Sequence, residues 1–175
     1  ATGSRAFYVN PGTDGFTFTD NAVTGAFTRS AITQARNGLV EGNTLTGTGS
    51  SATFGSWGYP DAAEFGHTVF RANTISGTSA GFRVYQASDV TIEHNIVSGV
   101  TDGVVVDDPD GTVPGVDGAT VVSRDNSFTG ITGKRVTNSY PNAVNASANW
   151  WGTAAVNTGD ITGLVDYTPV LTVGT

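Results

Sequence analysis

One pentapeptide pattern, Asn-x-apolar-Ser/Thr-Gly, returns through this chain at near-constant intervals, and it restricts the fold more than any other feature. It reads Asn21-Ala22-Val23-Thr24-Gly25, then Asn43-Thr44-Leu45-Thr46-Gly47, Asn73-Thr74-Ile75-Ser76-Gly77, Asn95-Ile96-Val97-Ser98-Gly99 and Asn126-Ser127-Phe128-Thr129-Gly130. A variant, Asn149-Trp150-Trp151-Gly152, ends the series. Successive Asn residues lie 22, 30, 22, 31 and 23 positions apart. A unit this short and rich in β-branched residues cannot bury its apolar face alone, so it must stack on copies of itself as one coil of a solenoid. The expected fold is all-β: a right-handed single-stranded parallel β-helix of about six coils, with a base period of 22–23 residues and two loop insertions. The handedness follows from the strong right-handed preference of parallel crossovers.

Stacking turns each repeated position into a column with a rise of about 4.8 Å per coil. Three residues before the Asn stand Phe18, Val40, Phe70 and Ile92, with Val122 one residue out of step. Two residues after it stand Val23, Leu45, Ile75, Val97, Phe128 and Trp151. Both columns are apolar and are expected to face inward. A second strand begins eight residues after the Asn, most clearly in Gly81-Phe82-Arg83-Val84 and Gly103-Val104-Val105-Val106. The Asn side chains are expected to form an internal amide ladder at a turn, and Asn itself tolerates left-handed turn geometry. Two residues before the Asn, Glu41, Arg71, Glu93 and Arg124 alternate in sign. They read as a surface salt ladder in which each Arg meets Glu above and below, a device that also opposes register slips.

Composition agrees. There are 24 Gly and only 13% charged residues, a strand-and-turn profile. Fifteen acids against eight Lys plus Arg give a formal net charge of −7, which argues against nucleic acid and anionic membrane surfaces as partners. No apolar run reaches membrane-spanning length, so no membrane insertion is expected. Cys is absent, which excludes disulfide staples. Met is absent even at position 1, and Phe7-Tyr8-Val9 falls part-way round a coil. The chain therefore reads as a single β-helix domain, 1–175, cut from a longer precursor at an extracellular or cell-surface location. An uncapped first coil would otherwise need residues 1–12 folded over it or another subunit docked on it.

Asn149-Trp150-Trp151-Gly152, followed by Gly163-Leu164-Val165-Asp166-Tyr167-Thr168-Pro169, resembles the closing segment of bacterial β-helix proteins of the pectin-lyase-like superfamily. The repeats resemble that group's over nearly the whole chain. The resemblance implies the fold, with 149–175 as the C-terminal closing segment; Trp150 and Trp151 themselves read as a hydrophobic cap over the last coil, with sugar stacking the alternative. It leaves function open, because the group spans lyases, glycoside hydrolases, epimerases, tailspikes, adhesins and non-catalytic surface proteins.

Function in a solenoid usually sits where the repeat is interrupted. Both long coils are lengthened at the same turn, between the second strand and the strand leading into the Asn, over 55–67 and 107–118. Trp57, Tyr59, Asp61 and Glu64 would form an aromatic wall, and Asp107, Asp108, Asp110 and Asp117 an acidic one. Tyr85, Gln86, Ser88 and Asp89, in the short turn between, would lie near the floor. Rings beside carboxylates suit a carbohydrate, so Trp57, Tyr59, Asp61, Glu64, Tyr85 and Asp89 are the candidate ligand-binding residues. Asp107 and Asp108 are the candidate catalytic pair, resembling the paired Asp of β-helix polygalacturonases. The Gly-His-Gly and Arg-Ile-Lys elements of those enzymes are absent, as are a pectate lyase's clustered bases: Lys134 and Arg135 alone stand together. Asp108 and Asp110 are candidate Ca²⁺ ligands, and no other cofactor is expected. His67 and His94 lack metal-ligand spacing and read as structural.

The leading expectation is a non-catalytic structural or binding module of a surface protein, contacting polysaccharide or other copies of itself, including as a fibre. A lyase or glycoside hydrolase acting between the two insertions, and a phage tailspike fragment, are the alternatives.

Overall fold

The computed structural model describes residues 2–47, 54–57, 66–108 and 120–174, with side chains for all of these except 2–4, 28–33 and 57. The chain winds as a right-handed parallel β-helix with three stacked ladders, every strand pair parallel. The first ladder follows the Asn. It joins the start of β2 (Ala22–Glu41) to β3 (Thr44–Gly47), β6 (Thr74–Ser76), β9 (Ile96–Ser98) and β12 (Ser127–Thr129). The second joins the middle of β2 to β4 (Phe54–Trp57), β7 (Ala80–Tyr85), β10 (Asp102–Asp107), β13 (Val136–Asn138) and β15 (Ile161–Thr162). The third joins the end of β2 to β5 (Val69–Arg71), β8 (Thr91–Glu93), β11 (Val122–Arg124), β14 (Val144–Asn145) and β16 (Val165–Asp166). At the N-terminal end, β1 (Thr2–Thr19) lies along β2.

The inward columns form the core. Leu45, Ile75, Val97, Phe128 and Trp151 are all buried, and the Phe128 and Trp151 rings stack at 4.5 Å. Full burial of each such side chain contributes about 1.5 to 3 kcal/mol. The opposing column holds Val40, Phe70 and Ile92. Its next member is Ser123, which pairs with Ile92 and is buried, so the register does not slip at Val122. The hydroxyl is tolerated there because it accepts from Asn126 Nδ2 at 3.2 Å.

The six Asn side chains form one continuous ladder. Each donates its backbone N–H and its Nδ2 to the Oδ1 of the Asn one coil on, at 2.9 to 3.1 Å, from Asn21 through to Asn149. Each Nδ2 after the first also donates to the carbonyl three residues before the preceding Asn, as Asn95 does to Phe70 at 3.0 Å. The left-handed geometry expected of the Asn is taken instead by the residue before it: Asp20, Gly42, Ala72, His94, Asp125 and Ala148 all have φ between 54° and 67°. That residue makes the bend, which leaves the Asn extended and aimed inward. The salt ladder resolves into separate pairs, Arg71–Glu41 at 2.8 Å and Arg124–Glu93 at 2.9 Å. Arg71 feels Glu93 only through space, because its fork is already spent on both oxygens of Glu41.

Replacing Asn95 by Ala removes the acceptor of two Asn73 donors and takes a donor from the Phe70 and Glu93 carbonyls, of which Glu93 keeps the Ala72 N–H. The expected cost is about 3 to 5 kcal/mol, read as a lower urea midpoint. Asn21→Ala, at the end of the ladder, should cost about 1 kcal/mol. Equal losses would show that the ladder does not act as a chain of shared bonds.

Candidate functional site

The second ladder ends at a corner that leads into the third, and this corner is where successive coils differ. Four coils place a left-handed residue there, six positions before their Asn: Gly15, Asn37, His67 and Asp89. The shortest version runs from β7 through Gln86, Ala87, Ser88 and Asp89 into β8. One coil earlier the chain leaves β4 at Trp57 and rejoins the corner at Gly66, which bridges both Arg36 and Ser88. Gly is required at 66: φ is 136°, and a Cβ would stand 1.9 Å from the Ser88 carbonyl oxygen. One coil later the chain leaves at Asp108 and rejoins at Thr120.

Around this corner the structure assembles a compact polar cluster. Asp107 is paired with Tyr85, and Tyr85 with Trp57, across the parallel strands. Arg83, two residues before Tyr85, grips the Asp107 carboxylate through Nε at 3.2 Å and through its Nη2, while its guanidinium lies 5.5 Å from the Tyr85 ring centre. The hydrogen bond to Asp107 raises the Arg83 pKa, against the effect of burial. Asp108, next along the strand, turns the other way. Its carboxylate accepts from Gln86 Nε2 at 2.8 Å, and its backbone N–H donates to Ser139 Oγ at 2.9 Å. Asp89 meets His67 Nδ1 at 3.3 Å, and its N–H donates to Thr120 Oγ1.

Beneath the corner lies Tyr140, which the repeat gave no reason to single out. Its buried hydroxyl donates to the Ala87 carbonyl at 3.1 Å and accepts from the Ala87 N–H at 2.9 Å. It thereby ties together segments 53 residues apart. Burial raises the Tyr140 pKa above its ordinary value, and the charges of Asp107 and Asp108 push the same way.

Of the expected site residues, the structure brings Tyr85, Asp89, Asp107 and Asp108 to one corner. Trp57 joins them by its backbone pairing. Tyr59, Asp61 and Glu64 lie outside the described residues, as do Asp110 and Asp117. Among the described residues no three of His, Asp and Glu converge as a metal site. Sequence reasoning missed Arg83, Tyr140, Ser139 and Thr120, and read His67 without its Asp89 partner. The Arg83–Asp107 pair could have been found by counting, since coil register sets Tyr85 against Asp107 and Arg83 lies two residues away. Tyr140 could not, because Ser139-Tyr140-Pro141 carries no repeated position.

Tyr140→Phe should cost about 1 to 3 kcal/mol, since both backbone groups of Ala87 lose their partner in a buried place. The raised pKa adds a pH dependence of known sign. The folded state keeps a proton that the unfolded chain releases above the ordinary value of 10.0. Stability from this group is therefore complete below pH 10 and declines as pH rises beyond it. Denaturant midpoints across pH 9 to 12 should show that decline in the wild type and a shallower one in Tyr140→Phe.

A family model described as right-handed β-helix region matches residues 2–150. No curated protein and no solved structure matches the chain. The family match spans most of the chain and takes in the ladder strands from β1 to β14. This chain therefore belongs to the right-handed β-helix family.

Proposed function

We propose that this β-helix is a non-catalytic binding module of an extracellular surface protein, and that the corner at Tyr85, Asp89 and Asp107 is where it contacts a polysaccharide. The observation that carries the reading is the commitment of the carboxylates. Asp107 is held by both sides of the Arg83 fork, and Asp108 accepts from Gln86. A glycosidase needs one carboxyl to give a proton and another to act as nucleophile or base. Carboxylates engaged in fixing a corner are poorly placed for either role. The same engagement favours binding, because it holds donors, acceptors and an aromatic ring in fixed positions before any ligand arrives.

Screening against a polysaccharide panel tests this. Wild type should bind at least one polymer, and Tyr85→Ala should weaken that binding by about 1 kcal/mol, roughly fivefold. Hydrolysis or elimination products from any polymer would favour the enzyme instead, and failure to bind any polymer would remove the glycan reading.

A second reading, contact with further copies of the chain, is favoured by the N-terminal end. Among the described residues β1 has a strand partner on one side only, β2. Phe7, Phe16 and Phe18 are only partly buried there, with Phe7 and Phe18 stacked at 4.1 Å. Light scattering over a concentration series should then show mass rising with concentration, and Phe7→Asp should suppress the rise. A constant monomer mass would remove this reading.

A further inference from the structure

The bases of this protein are distributed in a way that bears on what the corner can bind. Arg71, Arg124 and Arg135 each carry an acid from a neighbouring coil, namely Glu41, Glu93 and Asp160. Lys134 Nζ donates to the Gly159 carbonyl at 2.7 Å. At the corner itself the cation is Arg83, and it is matched by Asp107. Arg36 is exposed and stands apart from that pair, in register with Asp14 on one side and, through Gly66, with Ser88 two coils on. Asp89 and Asp108 add negative charge beside the Arg83–Asp107 pair, within a chain of formal net charge −7.

We infer that the polymer bound at this corner is an uncharged glycan, with no uronate or sulfate groups. This rests on the proposed binding role and deepens it. An anionic glycan would need a cation to meet its carboxylates, and on the face made by Arg83, Tyr85 and Asp107 that would mean drawing Arg83 away from Asp107. The Asp107 side chain is only 18% exposed. Separating the pair would strand a largely buried carboxylate next to an incoming negative charge, and that penalty opposes binding.

A neutral sugar meets the opposite situation. The ion pair has no net charge, yet it offers guanidinium N–H donors and carboxylate lone pairs side by side. A pair of neighbouring sugar hydroxyls, each able to donate and accept, can use both without breaking the pair. The part-exposed Tyr85 ring, with the Arg83 guanidinium over it, adds apolar carbon beside these hydrogen-bonding groups.

The test compares neutral polymers (β-glucan, mannan, xylan) with polygalacturonate, for wild type and Asp107→Asn, each checked for a wild-type circular dichroism spectrum. Wild type should bind a neutral polymer with less than about a twofold change between low and high salt, because no exposed charges attract across the interface. It should not bind polygalacturonate. Asp107→Asn leaves Arg83 uncompensated, so it should bind the neutral polymer about tenfold more weakly and gain salt-sensitive binding to polygalacturonate. Should the variant misfold, the wild-type arm still decides. Salt-sensitive binding of wild type to polygalacturonate would overturn this inference while leaving the binding role standing. No binding to any polymer by wild type would overturn both.

Discussion

The amide ladder is the interaction on which the rest of this molecule depends. A parallel β-helix must turn at the end of every strand, and each turn buries backbone groups that strand pairing cannot reach. Here a single side chain per coil solves that problem. Asn95 shows the pattern: its Nδ2 donates to carbonyls in its own coil and in the one before, its oxygen accepts from the Asn of the coil before, and its N–H groups donate to the Asn of the coil after. Because the bonds are shared between coils, a one-residue shift would break two sets at once. Register is thus fixed at one edge, and the apolar columns and ion pairs inherit their alignment from it.

That fixed alignment explains why the corner can be polar without being loose. Arg83, Tyr85 and Asp107 sit on strands whose positions are set by the ladders, and Tyr140 closes the underside through both backbone groups of Ala87. The Arg83 charge there is balanced locally, by Asp107 one coil away. The proposed role as a surface for neutral sugar follows from this pairing, since it leaves fixed hydrogen-bonding groups and commits the Arg83 cation to Asp107.

Much of this was legible in the sequence because stacking converts periodicity into contact. The two apolar columns, the Asn ladder, the Glu–Arg pairs and the shared corner of the two long coils all follow from aligning Asn21 to Asn149. What did not follow had a physical cause in each case. The left-handed residue precedes the Asn, and its identity varies among Asp, Gly, Ala and His, so composition gave no sign of it. Ser123 looked like a slip because a buried hydroxyl in an apolar column is unusual until its Asn126 partner is known. Arg71 was expected to bridge two acids, yet its planar fork matches one carboxylate fully. Tyr140 acts across 53 residues from a segment outside the repeat, where a periodic argument has nothing to count.

The coil register also quantises the geometry of the corner. Strands β4, β7 and β10 are paired residue for residue, so the points where the chain departs at Trp57 and at Asp108 are two rises apart, about 10 Å. Loop length and loop sequence can drift without altering that separation. It can change only in whole steps, by gain or loss of a complete coil. A lineage built on this scaffold would therefore tune what its loops touch continuously, but could alter the spacing between them only by integer jumps.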